Sequence, residues 1–265
     1  MKKLLVTSLL LASTSAMAGG SGVAGSVSDV PDTPTEAKSG WKASVGLGVV
    51  NAPTFAGVDD TESTGVPLIN VSYNDTFYFE YNKLGWWAWK PQDTGFRVGL
   101  VAQSRKGYDR GDGPWIEHEV DDTGLAGVRA QWKSGMFKLD ASLLASSEED
   151  SGGEMHITAS YTFLASAKGT LTGMVKAESL SEDSVNYFYY GANANSGDPL
   201  FSGGESTTNV SVGLIGTYNI APQWTLIGAV LATSYGDAIS DAPTNRGTGM
   251  EDSGTTALVG ATYTF

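Results

Sequence analysis

Two histidines and the carboxylates near them are the residues of this chain best suited to acid–base chemistry. His118 lies between Glu117 and Glu119, and His156 lies in a stretch where apolar and polar residues alternate. A nucleophilic relay needs a histidine that is oriented by a carboxylate and contacts a serine. The chain has no G-x-S-x-G elbow and no cysteine. We therefore expect no enzyme, with His118 a solvated loop residue and His156 a hydrogen-bonding residue. A hydrolase that uses His118 and loop carboxylates is the alternative.

Pairs and triplets of acidic residues could bind a hard divalent cation such as Ca²⁺ or Mg²⁺, which prefers oxygen ligands. The candidates are Asp59, Asp60, Glu148, Glu149 and Asp150. Because no D-x-D-x-D-G loop is present, we expect a solvated acidic face rather than a specific metal site. Divalent cations would bridge such a face to anionic lipopolysaccharide. No cofactor is expected.

The overall composition excludes several classes of protein. The 265 residues carry a net charge of −13 from 16 basic and 29 acidic side chains, with 34 glycines and no cysteine. An acidic chain without a basic block is poorly suited to phosphate backbones, so nucleic acid is not an expected partner. Without cysteine there is no disulfide scaffold and no thiolate metal site. Glycine is too frequent for a helical protein and lacks the collagen period.

The start of the chain is typical of a secretory signal peptide. Two lysines precede an apolar run at 4–11, and an A-x-A cleavage pattern follows at 16–18. We predict a cleaved signal peptide at 1–18 and a disordered periplasmic leader at 19–39, because that stretch is rich in Gly, Ser, Pro and Asp. The folded part is expected at 40–265.

Alternation of apolar and polar residues with a period of two recurs along the folded part and predicts β-strands. Many segments are long enough to cross a membrane as tilted strands, which takes about 9–11 residues. We expect about twelve strands, within a range of roughly 10–14. The segments are 41–50, 66–73, 76–82, 84–90, 95–106, 123–133, 136–146, 154–164, 168–178, 208–219, 223–235 and 255–265.

The two faces of these segments predict an all-β fold, a transmembrane antiparallel up-and-down β-barrel. One parity is apolar and suits lipid, whereas the other is small and polar and suits a lumen. Short connections alternate with long ones, apart from the hairpin at Asn82 and Lys83. Short periplasmic turns and long outer loops are typical of outer-membrane barrels, so we expect a periplasmic N-terminus.

Aromatic residues near the strand ends suggest a girdle at each of the two membrane interfaces. The chain ends in Tyr263-Thr264-Phe265. This C-terminal aromatic resembles the recognition signal of outer-membrane proteins, which implies contact with their assembly machinery.

Charged residues of the inward parity are expected to line the lumen. Eight strands enclose a space that side chains fill, and sixteen enclose an open channel, so about twelve leave limited width. Opposed charges there would either plug the lumen with ion pairs or set a transverse field, and we favour a narrow or occluded lumen. The residues are Lys42, Glu80, Arg97, Arg105, Arg129, Lys138, Asp140, Lys176 and Glu178.

Four short motifs add to the strand pattern. They are APTFAGVDD at 52–60, VPLINVSYNDTFYFE at 66–80, NYFYYG at 186–191 and DAP at 241–243. Together with the Tyr-x-Phe ending, they resemble motifs of the MipA/OmpV family of outer-membrane proteins over residues 41–265. The resemblance implies an outer-membrane barrel that serves as a scaffold for peptidoglycan-remodelling enzymes.

We therefore interpret the chain as a non-enzymatic barrel of the cell outer membrane. Expected partners are outer-membrane lipid and lipopolysaccharide, the assembly machinery and, as the resemblance implies, a periplasmic murein hydrolase or synthase. Two other functions stay open at this point. One is a narrow, porin-like diffusion channel for small solutes, and the other is a surface adhesin that uses the acidic outer loops.

Overall fold

The computed structural model describes residues 40–190 and 204–265. The signal peptide and leader predicted over 1–39 lie outside the described residues, as does 191–203, the middle of the long connection predicted at 179–207. Within the described ranges, no helix has the length and apolar character needed to cross a membrane.

Twelve antiparallel strands form a closed barrel, in which each strand pairs with its neighbours along the chain and the last pairs with the first. The predicted barrel of about twelve strands is confirmed. The strands are β1 Trp41–Pro53, β2 Thr61–Tyr73, β3 Phe77–Glu80, β4 Lys83–Trp89, β5 Phe96–Arg105, β6 Thr123–Ser134, β7 Phe137–Ser146, β8 Gly153–Ser166, β9 Gly169–Leu180, β10 Thr207–Ala221, β11 Trp224–Ser234 and β12 Ser253–Thr264. Two short helices, α1 Glu182–Tyr189 and α2 Asp237–Ser240, precede β10 and β12.

The outward face of the strands is apolar and exposed. Leu47 on β1 and Val259 on β12 are 75 % and 71 % exposed, whereas Leu258 is buried. A continuous apolar belt of this kind is unfavourable in water and favourable against lipid tails. The exposed apolar parity therefore gives the barrel a membrane-facing surface.

The inward face differs from the small, polar lumen predicted from the alternation. Val50, Leu68, Ile227 and Leu258 pack together inside the barrel, on β1, β2, β11 and β12. A second inward group joins Met174, Ile215 and Leu231 on β9 to β11. The strands on this side of the barrel therefore carry large apolar side chains on both parities, and the inward ones fill the lumen. The charged inward residues lie mainly on the other side, on β3 to β9.

The connections differ at the two ends of the barrel. The turn end holds the connections 74–76, 90–95, 135–136, 167–168 and 222–223, together with Gly40 and Phe265. The loop end holds 54–60, 106–122, 147–152, 235–252 and the described parts of the connection before β10, 181–190 and 204–206. The exception is the hairpin between β3 and β4, which turns at Tyr81 and Asn82 after only four residues of β3.

Aromatic residues form a girdle at the turn end. Their rings meet in pairs there: Trp41 with Tyr73, Trp89 with Phe96, Trp132 with Phe137, Tyr161 with Phe163, and Trp224 with Tyr263. At the loop end, the described aromatic residues Phe55, Tyr108 and Phe188 are buried in a core instead. The prediction of a second girdle is therefore wrong for the described part of the chain, because these rings pack inward on one another.

Close approach of neighbouring strands explains some of the glycine. A Cβ atom added at Gly46 on β1 would collide with the backbone carbonyl oxygen of Ala261 on β12, and one added at Gly127 on β6 would collide with that of Leu143 on β7. A backbone obstacle cannot swing aside as a flexible side chain can, so these two positions accept no side chain without a shift of the wall.

Substitution of Gly46 is expected to weaken the barrel more than substitution of a glycine with free space around it. Gly46→Ala should lower the free energy of unfolding by about 1–3 kcal/mol through overpacking. Gly65→Ala on β2 is the matched control, because nothing lies within 4 Å of its added Cβ. Urea unfolding in lipid vesicles, followed by tryptophan fluorescence, measures both. Equal losses would contradict the close-approach argument.

Candidate functional site

The part of the lumen nearer the turn end, here called the lower part, contains a buried ion cluster centred on Arg129 of β6. Its Nη2 and Nε donate to Asp140 Oδ2 at 2.8 and 3.0 Å, and its Nη1 donates to Glu80 Oε2 at 2.8 Å. Gln131 Nε2 donates to the same Asp140 oxygen at 2.7 Å. One guanidinium therefore joins β3, β6 and β7 across the lumen, and two carboxylates compensate its charge. We call these four residues the lower cluster.

Aromatic rings cover the lower cluster on the β3 and β4 side. The Arg129 guanidinium carbon lies 5.1 Å from the ring centre of Tyr78 and 5.2 Å from that of Trp87. Arg97 stacks on Trp87 at 4.2 Å and donates from Nε to Gln131 Oε1 at 2.9 Å. Cation–π contacts strengthen when the cation is removed from water, as here.

A second ion cluster, the upper cluster, lies nearer the loop end. Arg105 of β5 pairs with Glu154 of β8 and lies 4.0 Å from Glu178 of β9. Lys176 Nζ donates to Glu178 Oε2 at 2.7 Å, and His156 Nε2 shares a 2.8 Å hydrogen bond with Glu154 Oε2. All five side chains are at most 8 % exposed. Two cations thus balance two carboxylates when His156 is neutral.

Three members of the upper cluster have the geometry of a metal site. One ligand atom each from Glu154, His156 and Glu178 lies within 4.8 Å of the others. However, Arg105 already binds Glu154, and Lys176 already binds Glu178. A dication placed there would have to displace an ammonium or guanidinium group from a buried carboxylate, which is costly. The arrangement is better described as an ion-pair network in which each carboxylate already has a cationic partner.

A cap of loop residues closes the barrel above the upper cluster. Helix α1 begins after Ser181, whose side chain accepts from Ser184 N, and it buries Phe188 and Tyr189. The Arg105 guanidinium carbon lies 4.2 Å from the centre of the Phe188 ring. The members of this cap are Phe55, Val58, Tyr108, Val120, Leu180, Val185, Phe188, Tyr189, Ile239 and Ala242.

Polar contacts tie the loops of the cap to one another. Trp115 Nε1 donates to the backbone oxygen of Tyr189 at 3.1 Å. Arg246 donates to the backbone oxygen of Gly113 at 3.0 Å and pairs with Asp60. Burial raises the pKa of the Tyr189 and Tyr108 phenols well above their usual range, so both remain neutral. The cap is therefore an apolar core whose loops are joined by hydrogen bonds at its rim.

The residues predicted to line the lumen fall into three groups. Glu80, Arg97, Arg129 and Asp140 belong to or touch the lower cluster, and Arg105, Lys176 and Glu178 belong to the upper one. Lys138 is half-buried on β7, two residues from Asp140. Lys42 is 35 % exposed at the turn end and pairs with Asp75 at 3.0 Å.

Two buried lumen residues, Glu154 and Lys83, are not among those predicted from the alternation. Glu154 is buried and shares the inward parity of His156, two residues away, so the strand pattern already contained the signal. Lys83 is buried at the start of β4, directly after the hairpin turn, where alternation is too short to assign a face.

The loop residues singled out for chemistry lie apart from these clusters. Asp59, Glu148, Glu149 and Asp150 are exposed, and Asp60 pairs with Arg246. His118 is half-buried, with its ring centre 6.2 Å from that of Trp115. In 40–190 and 204–265, the metal-type grouping of three ligands lies in the lumen and includes none of these residues.

An apolar outer belt, an aromatic girdle and a lumen filled by ion pairs define the class as an outer-membrane β-barrel. The profile of the family described as MltA-interacting protein MipA matches residues 45–265. The chain belongs to the MipA family.

Comparisons with known structures find other barrels at low identity. A NanC porin gives a TM-score of 0.42 at 10 % identity, covering 84 % of this chain and 98 % of that one. An outer membrane channel from Pseudomonas putida F1 gives 0.42 at 9 %, covering 89 % and 100 %. OmpT of Vibrio cholerae gives 0.36 at 11 %, also covering 89 % and 100 %. Comparison with curated proteins gives no match.

Breaking the lower cluster on one side is expected to be costly. Arg129→Met leaves two carboxylates without their cation and should lower the free energy of unfolding by about 3–5 kcal/mol. The double variant Arg129→Met with Asp140→Leu should regain part of the loss. Lys42→Met at the half-exposed pair is the control and should cost less than about 1 kcal/mol. Urea unfolding in vesicles measures all three. A double variant no more stable than Arg129→Met would count against charge compensation.

Proposed function

We propose that this chain is a non-enzymatic scaffold of the outer membrane that binds a murein-remodelling enzyme from the periplasmic side. The observation that carries the proposal is the burial of Arg105 and Arg129 with their carboxylate partners inside the barrel. Side chains packed across the lumen beneath a cap of loop residues suit binding better than transport. The family description, MltA-interacting protein, supports a murein enzyme as the partner.

The proposed orientation directs the turn end to the periplasm. Short turns are periplasmic in outer-membrane barrels, and long loops face outward. Gly40, the first described residue, lies at the turn end, so the leader predicted at 19–39 would extend from that end. The aromatic girdle would then mark the inner interface.

The turn end offers a basic docking surface to such a partner. Lys90, Lys133 and Lys168 are exposed there, and Asp75 and Asp93 are the acidic residues of the described turns. Exposed acidic residues dominate the loop end, including Glu148 and Glu149. Like charges across an interface are unfavourable and opposite charges steer association. We infer that the partner presents an acidic surface to the turn end.

Charge reversal at the turn end is expected to weaken partner binding. Purified barrel carrying Lys133→Glu and Lys168→Glu should retain several-fold less murein hydrolase or synthase activity from a periplasmic extract than the native chain does, because attraction becomes repulsion. Glu148→Lys with Glu149→Lys at the loop end is the matched control and should bind normally. Zymography on murein measures the retained enzyme. Retention no higher than by an unrelated barrel would refute the scaffold.

A diffusion channel is the second candidate, and ion conductance separates it from the scaffold. The refolded native barrel is expected to give no steady current in a planar bilayer. Arg129→Ala with Asp140→Ala shortens the two side chains that span the lower lumen and should raise the frequency of open events. A large steady conductance of the native barrel would favour the channel.

The acidic loop end is compatible with the third interpretation, a surface adhesin. Deletion of 181–206 and an attachment assay test that role separately, because the described parts of this connection, 181–190 and 204–206, lie at the end opposite to the proposed docking surface. Lipopolysaccharide, bridged by divalent cations, stays a proposed partner of the same acidic face.

A further inference from the structure

The barrel wall is incomplete above the β3–β4 hairpin. Strand β2 runs from Thr61 to Tyr73 and pairs with β1 along its whole length, but β3 pairs only with Asn70–Tyr73. Tyr81 N donates to Ile69 O at 2.8 Å, which closes the hairpin against β2. Above this point, the stretch Thr61–Leu68 has no partner strand on its second edge in the described structure.

The gap reaches into the membrane. The unpaired stretch is roughly 25 Å long at about 3.3 Å per residue, and a strand tilt of about 40° turns this into roughly 20 Å of height. Phe77, which pairs with the girdle residue Tyr73, is only four residues below the hairpin turn. Since the apolar belt of such barrels is about 25 Å tall, the turn ends well inside it.

Strands and loops border this gap on all sides, so we call it the wall window. Strand β2 forms one side and the upper end of β5 forms the other, because β4 pairs with β5 only as far as Gln103. The turn at Tyr81 and Asn82 forms the lower edge. The contact between Phe55 and Tyr108, with ring centres 4.9 Å apart, joins the loops above β1 and β5 and forms the upper edge.

Buried polar atoms without partners lie at the border of the wall window. Asn82 Oδ1, Gln103 Oε1 and Arg105 Nε are each buried and have no hydrogen-bond partner in the described structure. The Asn82 amide nitrogen donates to Ser104 O at 3.4 Å, which fixes the residue against β5. A buried polar group that stays unpaired is unfavourable, so a polar group is expected to bind here.

An added peptide strand is a poor occupant of the window. Pro67 lies within the unpaired stretch, opposite Leu47 of β1. Proline has no N–H to donate, so a strand laid along this edge would meet an interrupted ladder. A lipid-exposed strand edge is also tolerated only where it borders protein or a wet cavity. Both points favour a ligand that brings its own polar head.

The outer surface below the window suits an acyl chain. Leu84 and Trp86 on β4 and Leu100 on β5 are exposed apolar residues just below the hairpin tip, and Trp86 pairs with Leu100 across the two strands. A tail could lie on this surface while its head reaches the amide oxygens of Asn82 and Gln103. Those oxygens accept hydrogen bonds, so the head must donate them.

We propose that the wall window binds a membrane amphiphile whose head carries hydroxyl or ammonium donors and whose tail stays in the outer leaflet. This site is separate from the proposed docking surface, but the assignment to the outer leaflet rests on the orientation proposed above. The head donates to Asn82 Oδ1 and Gln103 Oε1, and an acceptor on the same head accepts a hydrogen bond from Arg105 Nε.

Native mass spectrometry of the whole folded barrel tests the site. The probes are dodecyl maltoside, with a hydroxyl-rich head, lysophosphatidylethanolamine, with an ammonium head, and laurate, with no donor. The two donor probes should bind and laurate should bind about tenfold more weakly. Equal binding of all three would overturn the proposed head chemistry.

Two variants act on the window by different routes. Asn82→Met with Gln103→Met removes both acceptors and should weaken the donor probes about tenfold, as expected for two lost hydrogen bonds. Gly65 pairs with the outward-facing Val49, and an added Cβ there meets nothing within 4 Å. Gly65→Trp therefore places a ring on the lipid side of the wall beside the window, and it should weaken binding of the donor probes by obstructing their entry without removing a polar contact. Gln92→Met at the turn end is the control.

Folding is checked separately by the heat-dependent gel shift of the barrel. Unchanged binding by both folded variants would overturn the site, as would the absence of binding by the native chain. Retained murein-enzyme binding in the same variants would show that only the window, and not the scaffold, has been affected.

Discussion

Charge compensation inside a narrow lumen is the constraint on which the rest of this barrel depends. Burying an isolated guanidinium in a low-dielectric space is prohibitive, and it becomes tolerable only with carboxylates in hydrogen-bonding geometry. Arg129 has two of them, from β3 and β7, and Arg105 has Glu154 from β8 with Glu178 nearby. The pairs Arg129–Glu80 and Arg105–Glu154 therefore join strands that no backbone ladder connects directly.

The two ends of the barrel also differ in how far they are covered by packed residues. The upper cluster lies beneath a cap made from α1 and the loops. Arg105 links the two, because it belongs to the cluster and its guanidinium stacks on Phe188 of the cap. The cap therefore rests on charges held by the wall, and opening it would expose them. At the turn end no comparable core covers the barrel in the described structure. Exposed lysines and short turns remain there, which leaves that surface available to a partner.

The sequence was sufficient to predict the strands and the residues that face inward. It was insufficient to predict which side chains contact one another inside the barrel. Twelve strands follow from the period-two pattern, since each strand buries one parity and exposes the other. The pairing of Arg105 with Glu154 spans 49 residues and depends on barrel closure, which no local pattern encodes. Leu68 and Ile227 face inward because the lumen on that side needs volume, although alternation alone suggested a polar face. The rings of Phe55, Tyr108 and Phe188 lie in connections between strands, so no strand pattern indicates that they pack together in the cap.

The short β3–β4 hairpin interrupts the regular alternation of long strands, and the sequence of the neighbouring strand β2 explains why. Pro67 cannot donate to a second neighbour, so an unbroken β2–β3 ladder past this residue would lose a hydrogen bond inside the membrane. Ending β3 at Glu80 avoids that loss but leaves the β2 edge and the amide oxygens beside it to be satisfied by something other than a strand. A water-lined gap would satisfy them within the lumen, but not at the lipid boundary. There, a molecule with a polar head and an apolar tail matches both sides of the wall, so the shortened hairpin and the unpaired atoms have one common explanation.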